Sequence, residues 1–507
     1  MAHLWRRSGA VTVLALLLAV TGCSSGAADE PVVFRVGFGG DPVTLDPRVS
    51  PPAYNIFLSP LYDTLIKSTA DGGYAPGLAT AWELSPDALR LSLTLREGVT
   101  FQDGTPFDAE AVRANLEAAK EPGTLVARTL TELDRVEVVD PTHVVLHMRS
   151  PGGHMLGVLA GETGMMISPG HLDSPDLATN PVGAGPFRLT ELTGGRTTYA
   201  KWDGYWNAAA IELDGIEIHG FPDDTARLAA LRSGQLDSSF LFPTQIEQAE
   251  SAGLKTTIFP RTAVHAVLLN TSRSEFAKPQ VRQALNLALD RAQLSETLYG
   301  GHCAVADQPY PDGYWAAPPD GGAAAYDRDR ARALLAEAGL PDGFEFTLSA
   351  SNITTFQRLA EAVQGQLAEI GVRVKLDIRD NPSLTALRQS GNFDAVGGQY
   401  ESGRPDPTTF LTDFYLPGGV FNPGRFNPPG GQELVAQARR TADVAVRKEP
   451  IQRLVAEVAA SGPPIIPVCF PGYVEADAPH VTHPVSVSVL GDYDFSAVRM
   501  TSPGSGG

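Results

Sequence analysis

Leu89, Leu91, Leu93 and Leu95 alternate with Arg90, Ser92, Thr94 and Arg96, a period of two that predicts a strand with one buried face. Asp103-Gly104 marks a turn. Pro106-Phe107-Asp108 then leads into AEAVRANLEAAK, where Val112, Leu116 and Ala119 keep helical spacing behind Asp108 as N-cap and Glu110 in the first turn. Val136 and Val138, then Asp140-Pro141, then Val144, Leu146 and Met148 predict a hairpin. The acidic groups of this region thus have structural work, and the stretch reads as architecture rather than an active site.

Farther on, Phe344, Phe346, Leu348 and Ala350 alternate as a strand. Phe356, Leu359, Val363, Leu367 and Ile370 follow at helical spacing, and Val372, Val374, Leu376 and Ile378 alternate again. Strand, helix, strand is the crossover unit of a parallel or mixed sheet. Residues 223–242 predict a helix closed by Gly234 and then a strand. Pro450 is expected to start another helix, with Ile451, Leu454, Val455 and Val458 on its apolar side.

The chain has 507 residues, more than one hydrophobic core usually serves, so two or three lobes are expected. Hydrophobic residues at 43% and charged ones at 19% argue against disorder. A formal net charge of −19 makes nucleic acid an improbable partner, because phosphate binding needs Lys and Arg density.

The N-terminus bears on compartment. Arg6 and Arg7 precede an apolar run, Val11 to Val20, too short to span a bilayer. Val20-Thr21-Gly22-Cys23 follows and resembles the bacterial lipobox, which implies a signal peptide over 1–22, lipid on Cys23 and a short tether over 23–30. The expectation is a globular protein anchored on the extracytoplasmic face of the membrane. Cys303 and Cys469 are then candidates for a disulfide, although their separation in sequence neither supports nor excludes contact. No basic cluster near either one favours a reactive thiolate.

LATAWELSPDALRLSLTLREGVTFQDGTPFDAEAVRANLE resembles the signature region of the extracellular solute-binding proteins, family 5, of ABC importers. NPVGAGPFRL (180–189), YWN (205–207), LLNTSRSEFAKPQVRQALNLALDRAQLSETLYGG (268–301) and PDPTTFL (405–411) match in the same order. The resemblance covers residues 31–495 and implies an α/β, periplasmic-binding-protein-like fold of type II, cluster C. Two large lobes are joined by a hinge and accompanied by a third, smaller lobe. The implied divisions are 31–68, 177–270 and 476–507 for the first large lobe, 69–176 for the small one and 271–475 for the second large lobe. Function follows as an expectation: a monomeric, cofactor-free receptor that captures a ligand and delivers it to a membrane permease.

No enzyme constellation contradicts that reading. His-Glu-x-x-His and the phosphate-binding Gly-rich loop ending in Lys-Ser/Thr are missing from the sequence, and Gly-x-Ser-x-Gly occurs as Gly22 to Gly26, in the lipobox and tether rather than between a strand and a helix. His480 and His483 precede Pro484 with no Cys nearby and read as loop residues, so no metal site is assigned. In peptide-binding members the loop matching residues 394–411 carries an aromatic residue and, three positions on, an Asp that pairs with the peptide ammonium. Here Tyr400 falls at the aromatic position and Gly403 at the Asp position. Glu401 or Asp406 is then the candidate replacement, with Asp406 equally suited to cap a helix starting near Pro407. Arg404 offers a fork for a carboxylate or phosphate. By position alone, Tyr54, Asn55, Ser239, Phe242 and Asn270 join the ligand-contact candidates, Asn270 also as a hinge residue. A short peptide is the first ligand class. A non-peptide solute, such as an anionic small molecule, a nickel complex or a saccharide, is the second. A surface enzyme or a receptor without an import role are the remaining alternatives.

Overall fold

The computed structural model describes residues 31–319 and 325–501. The leader 1–22, the tether and Cys23 lie outside the described residues. Three sheets organise the rest. The first has seven strands in the order Lys255–Phe259, Tyr473–Asp477, Ser238–Leu241, Val33–Phe38, Gly215–Gly220, Arg196–Lys201 and Phe187–Thr193. Val33–Phe38 runs parallel to both its neighbours, and the outer pairs are antiparallel. The second has six strands, Ala304–Val305, Ile465–Phe470, Ala263–Leu269, Ala395–Glu401, Glu345–Ser351 and Arg373–Arg379. The third is a four-stranded antiparallel sheet, Ala79–Leu84, Arg90–Leu95, His143–Met148 and Leu133–Asp140. This is the arrangement of two large lobes and one small one.

The opening pattern builds the small lobe as expected. Leu91, Leu93 and Leu95 are buried while Arg90 and Ser92 are exposed. Asp108 accepts from Ala111 N at 2.9 Å and caps the helix Ala109–Ala119, whose Val112 and Leu116 pack into the same core. The crossover also holds: Glu345–Ser351 and Arg373–Arg379 pair in parallel across the helix Thr354–Ala368.

Two expectations change. Strand Ala263–Leu269 belongs to the six-stranded sheet and Tyr473–Asp477 to the seven-stranded one. The chain therefore crosses between the large lobes at 260–262 and 471–472, ahead of the boundaries read at 270 and 475. The helix expected to start at Pro450 runs from Val444 to Ala460, capped by Asp443, with Pro450 inside it. Proline costs the carbonyl of Val446 its partner, and Val446 is exposed, so water can serve instead.

Gly183 and Gly185 explain the Gly-x-Gly segment. A Cβ at either would collide with the backbone of Leu61, on which Gly185 N donates to Leu61 O at 2.9 Å. Gln102 of the small lobe reaches the same place, donating to Phe187 O at 2.7 Å and Leu61 O at 3.2 Å. Close backbone approach at this point seats the small lobe on the first large one.

Candidate functional site

A cavity of about 310 Å³ lies between the two large lobes. Phe242 to Gln245, just after strand Ser238–Leu241, line one wall together with Asp224 and Thr225. Leu298, Tyr299, Thr354, Thr355 and Arg358 line the other. Both walls stand where strands with parallel neighbours end, Ser238–Leu241 on one side and Glu345–Ser351 on the other. Ligands of open α/β sheets collect in that crevice, because the strand ends and following helix starts leave polar backbone groups unpaired. The helix Thr354–Ala368 has Ile353 at its N-cap, which offers no side-chain acceptor. Its second turn presents Arg358, exposed, with no carboxylate partner among the described residues.

A polar row leads from the cavity wall across the two central strands of the six-stranded sheet, Ala263–Leu269 and Ala395–Glu401. Tyr299 Oη lies 2.7 Å from His265 Nδ1, and His265 Nε2 lies 3.4 Å from Gln399 Oε1. Gln399 Nε2 donates to Glu401 Oε1 at 3.0 Å. Glu401 faces Arg261 at 3.6 Å, and Arg261 sits in the first crossing between the lobes. Glu401 Oε2 and Arg261 Nε are both buried without a partner. Burial pushes His265 down to about 4, so its ring is neutral at physiological pH.

The first large lobe answers with aromatic rings. Phe242 packs edge-on to Phe240 at 5.3 Å, and Phe240 lies 5.1 Å from Tyr473 and 6.5 Å from Phe38. Tyr54, half-buried, joins this group against Phe38 and Phe57.

Other residues singled out in the sequence have structural partners. Tyr400 is core: its ring packs edge-on to Phe414 and its hydroxyl donates to Val396 O at 2.9 Å. It points to the opposite face of the sheet from Gln399 and Glu401, as strand alternation requires. Asp406 caps the helix Pro407–Tyr415, accepting from Thr408 N at 2.9 Å, and pairs with Arg447 at 2.7 Å, both side chains fully buried. That carboxylate is spoken for. Burial alone would raise its pKa, but Arg447, His154 and the Thr408 hydrogen bond together outweigh burial and hold it below the usual range.

Arg404 is likewise engaged. Its guanidinium donates to Leu490 O at 2.6 Å and Asp492 Oδ1 at 2.7 Å through one nitrogen, and to Glu162 Oε1 at 2.7 Å through the other. Asn55 Nδ2 donates to the same Glu162 oxygen at 2.8 Å. Arg404 and Asn55 therefore belong to a buried knot that ties the small lobe, the second large lobe and the C-terminal segment together. Burial works against the guanidinium charge, but Asp492 and Glu162 more than offset it and hold Arg404 charged. Asn270 is fully occupied at a turn, donating to Gly391 O and Phe393 O and accepting from Ser272. Since the crossing precedes residue 263, it is no hinge residue. Ser239 is buried, its hydroxyl 3.0 Å from Phe240 O. Cys303 and Cys469 are bonded to each other, their Cα atoms 5.5 Å apart.

Of the ligand-contact candidates, Phe242 lines the cavity and Glu401 keeps an unpartnered polar atom at the end of the central strand Ala395–Glu401. Arg261, His265, Tyr299 and Arg358 were missed. One signal was present: His265 interrupts AVHAVLL, an otherwise apolar run in which all seven residues are buried. Nothing in the local sequence marks Arg358, because its role depends on which lobe faces it.

Comparisons with known proteins agree with this architecture. The bacterial extracellular solute-binding proteins, family 5 (middle region), match residues 73–422. The glutathione-binding protein GsiB of Salmonella paratyphi A is 33% identical over 386 residues, 72% of this chain and 73% of its own. Among solved structures, PBP AgaA of A. tumefaciens R10 in complex with agropinic acid superposes with a TM-score of 0.77. It is 27% identical, over 92% of this chain and 99% of that one. DppA of Helicobacter pylori in complex with the peptide STSA gives a TM-score of 0.78 at 22% identity, over 93% and 98% of the two chains. An interlobe crevice on a type II scaffold, with this match running through most of the chain, identifies the protein as a member of the family 5 bacterial extracellular solute-binding proteins of ABC importers.

Proposed function

We propose that this protein captures a short peptide with a free ammonium group between its two large lobes and hands it to the permease of an ABC importer. It does so while held at the membrane by lipid on Cys23. The observation that carries the ligand reading is Glu401 Oε2, buried at the end of the central strand Ala395–Glu401 without a partner. A carboxylate oxygen shielded from water and unpaired is costly, and a ligand ammonium would relieve that cost. Arg358 and the uncapped amides of helix Thr354–Ala368 supply a counterpart for a ligand carboxylate. A ligand touching both walls favours the closed arrangement, and hinge closure about 260–262 and 471–472 is the corresponding motion.

Glutathione, a tripeptide with one free ammonium and two carboxylates, is the first probe, since relatives carry its name. Calorimetry with glutathione, a tripeptide mixture and the N-acetylated form of each tests the reading. Binding that is weakened on acetylation and on Glu401→Gln supports it. Binding indifferent to both refutes it. A second reading, an anionic non-peptide solute, is favoured by Arg358, exposed on the cavity wall. Agropinic acid then binds, Arg358→Ala weakens it and Glu401→Gln leaves it unchanged. Cys23→Ala is expected to move the protein out of the membrane fraction or leave the leader uncleaved. Normal processing and continued membrane association would remove the anchor from this account.

A further inference from the structure

We infer that His265 is a positioning residue for ligand recognition: carrying its proton on Nε2, it orients Gln399 so that one oxygen of Glu401 is held and the other is left free for the ligand. This deepens the reading of Glu401 as the ammonium acceptor and rests on it.

The direction of the polar row is fixed from its acidic end. A carboxylate only accepts, so the group of Gln399 that meets Glu401 Oε1 at 3.0 Å must be its amide nitrogen. The amide oxygen of Gln399 then faces His265 Nε2 at 3.4 Å and requires a donor there. With the proton on Nε2, a neutral ring leaves Nδ1 bare, and Nδ1 accepts from the Tyr299 hydroxyl at 2.7 Å. One orientation satisfies all three contacts: Tyr299 donates to His265, His265 to Gln399 and Gln399 to Glu401. Such a chain polarises each successive bond.

The surroundings keep the ring in that state. His265 is 4% exposed, with Phe356 edge-on at 5.2 Å and Tyr299 at 5.6 Å between ring centres. Burial lowers its pKa to about 4, so the imidazolium, which could not accept from Tyr299, stays out of reach in the neutral range. The charged groups along the row are Glu401 and, beyond it, Arg261 at 3.6 Å. Neither faces the ring directly. His265 thereby fixes the carboxylate through a neutral relay, without adding a charge that would repel a ligand ammonium.

Two measurements test this, and the first needs no ligand. Nitrogen NMR of the protein labelled at histidine, with His265→Gln used for assignment, is expected to show a neutral ring protonated on Nε2 at pH 7. In Tyr299→Phe the Nδ1-protonated form should gain population. A parent ring protonated on Nδ1, or on both nitrogens, overturns the proposal even if Glu401 does bind an ammonium. The second is calorimetry with glutathione and N-acetylglutathione on parent, Tyr299→Phe and Gln399→Leu. Glutathione affinity should fall about tenfold in each variant, the worth of one oriented hydrogen bond, while N-acetylglutathione is unaffected. Equal losses for both compounds would make the row merely structural and overturn the positioning role. Failure of glutathione to bind the parent, with the ring protonated on Nε2, would count against the ligand reading and leave the relay standing.

Discussion

Replacing Asp406 by alanine separates a structural carboxylate from a ligand-binding one. Asp406 and Arg447 are both fully buried, and one guanidinium nitrogen of Arg447 lies 2.7 Å from each carboxylate oxygen. Arg447 keeps one other acceptor, Ala438 O at 3.0 Å, and its second terminal nitrogen has none. Asp406→Ala would leave that cation alone in the core, which costs about 3–5 kcal/mol. It also removes the cap on helix Pro407–Tyr415, worth about 1 kcal/mol. The sum is a large part of the roughly 5–15 kcal/mol that holds a domain together. Asp406→Asn retains the cap and should lose less. Paired replacement, Asp406→Leu with Arg447→Met, should recover most of the loss, because no charge is then stranded. Urea unfolding followed by circular dichroism reads the stability, and calorimetry on the folded protein reads ligand affinity. A variant as stable as the parent that no longer binds ligand would refute the reasoning and return Asp406 to the site.

Arg404→Met should destabilise by about 3 kcal/mol, since Glu162 and Asp492 lose a shared buried cation, while leaving the relative affinity for anionic and cationic ligands unchanged. A selective loss of anion binding would show that Arg404 contacts ligand after all. Reduction of Cys303–Cys469, which are 166 residues apart, should cost about 5 kcal/mol by loop entropy, read as a shift in urea midpoint with and without reductant. Glu475 and Asp477 are buried side by side on strand Tyr473–Asp477. Burial, and for Glu475 also the neighbouring Asp477, raises both, Asp477 to about 6. The folded state thus holds protons that the unfolded chain releases near pH 4, so this pair favours the folded state most at low pH. Its contribution declines as pH rises from about 4 to 6. Glu475→Gln with Asp477→Asn should be more stable than the parent at pH 7, with the difference vanishing toward pH 4. A difference independent of pH would refute it.

How far the sequence reached depended on where the information lay. Leu91, Leu93 and Leu95, Asp108 and Val112, and the crossover 344–378 are set by local period and capping, so their elements were legible. The crossings were not, because strand Ala263–Leu269 reads equally well in either large sheet; its partners are 465–470 and 395–401, far away in sequence. Pro450 misled for the opposite reason: read as a helix start, it lies inside a longer helix, because the one carbonyl it leaves unpaired is exposed and can turn to water. At the site, Tyr400 and Glu401 are adjacent, and strand alternation sends one to the core and the other to the opposite face of the sheet. Motif position identified the loop but not which side chain faces outward. Arg404 and Asp406 looked available because their partners, Asp492, Glu162 and Arg447, come from segments 41 to 242 positions away.

The same geometry bears on Gly403, which stands where peptide-binding relatives were expected to carry an Asp. Restoring that residue is the obvious way to strengthen an ammonium site, and the packing argues that it will fail. A Cβ at 403 would lie 2.6 Å from Thr262 Cγ2 and 2.8 Å from Leu490 Cδ2, closer than atoms normally approach. Thr262 cannot easily retreat: it belongs to the first interlobe crossing, its N donates to Val489 O, and its carbonyl accepts from Ser402 N and Oγ. Gly403→Asp must therefore push the 488–491 loop away and loosen the Leu490 carbonyl that Arg404 holds. Overpacking of this kind costs about 1–3 kcal/mol. The new carboxylate would also stand one residue from Arg404 and compete with Asp492 for it instead of awaiting a ligand. Gly403→Asp is expected to lower the urea midpoint and to weaken or leave unchanged the affinity for glutathione, whereas Gly403→Ala shows the same steric loss without the charge. Tighter ammonium-dependent binding by Gly403→Asp, at undiminished stability, would mean that the loop is looser than its hydrogen bonds imply and that the relatives' clamp can be rebuilt here.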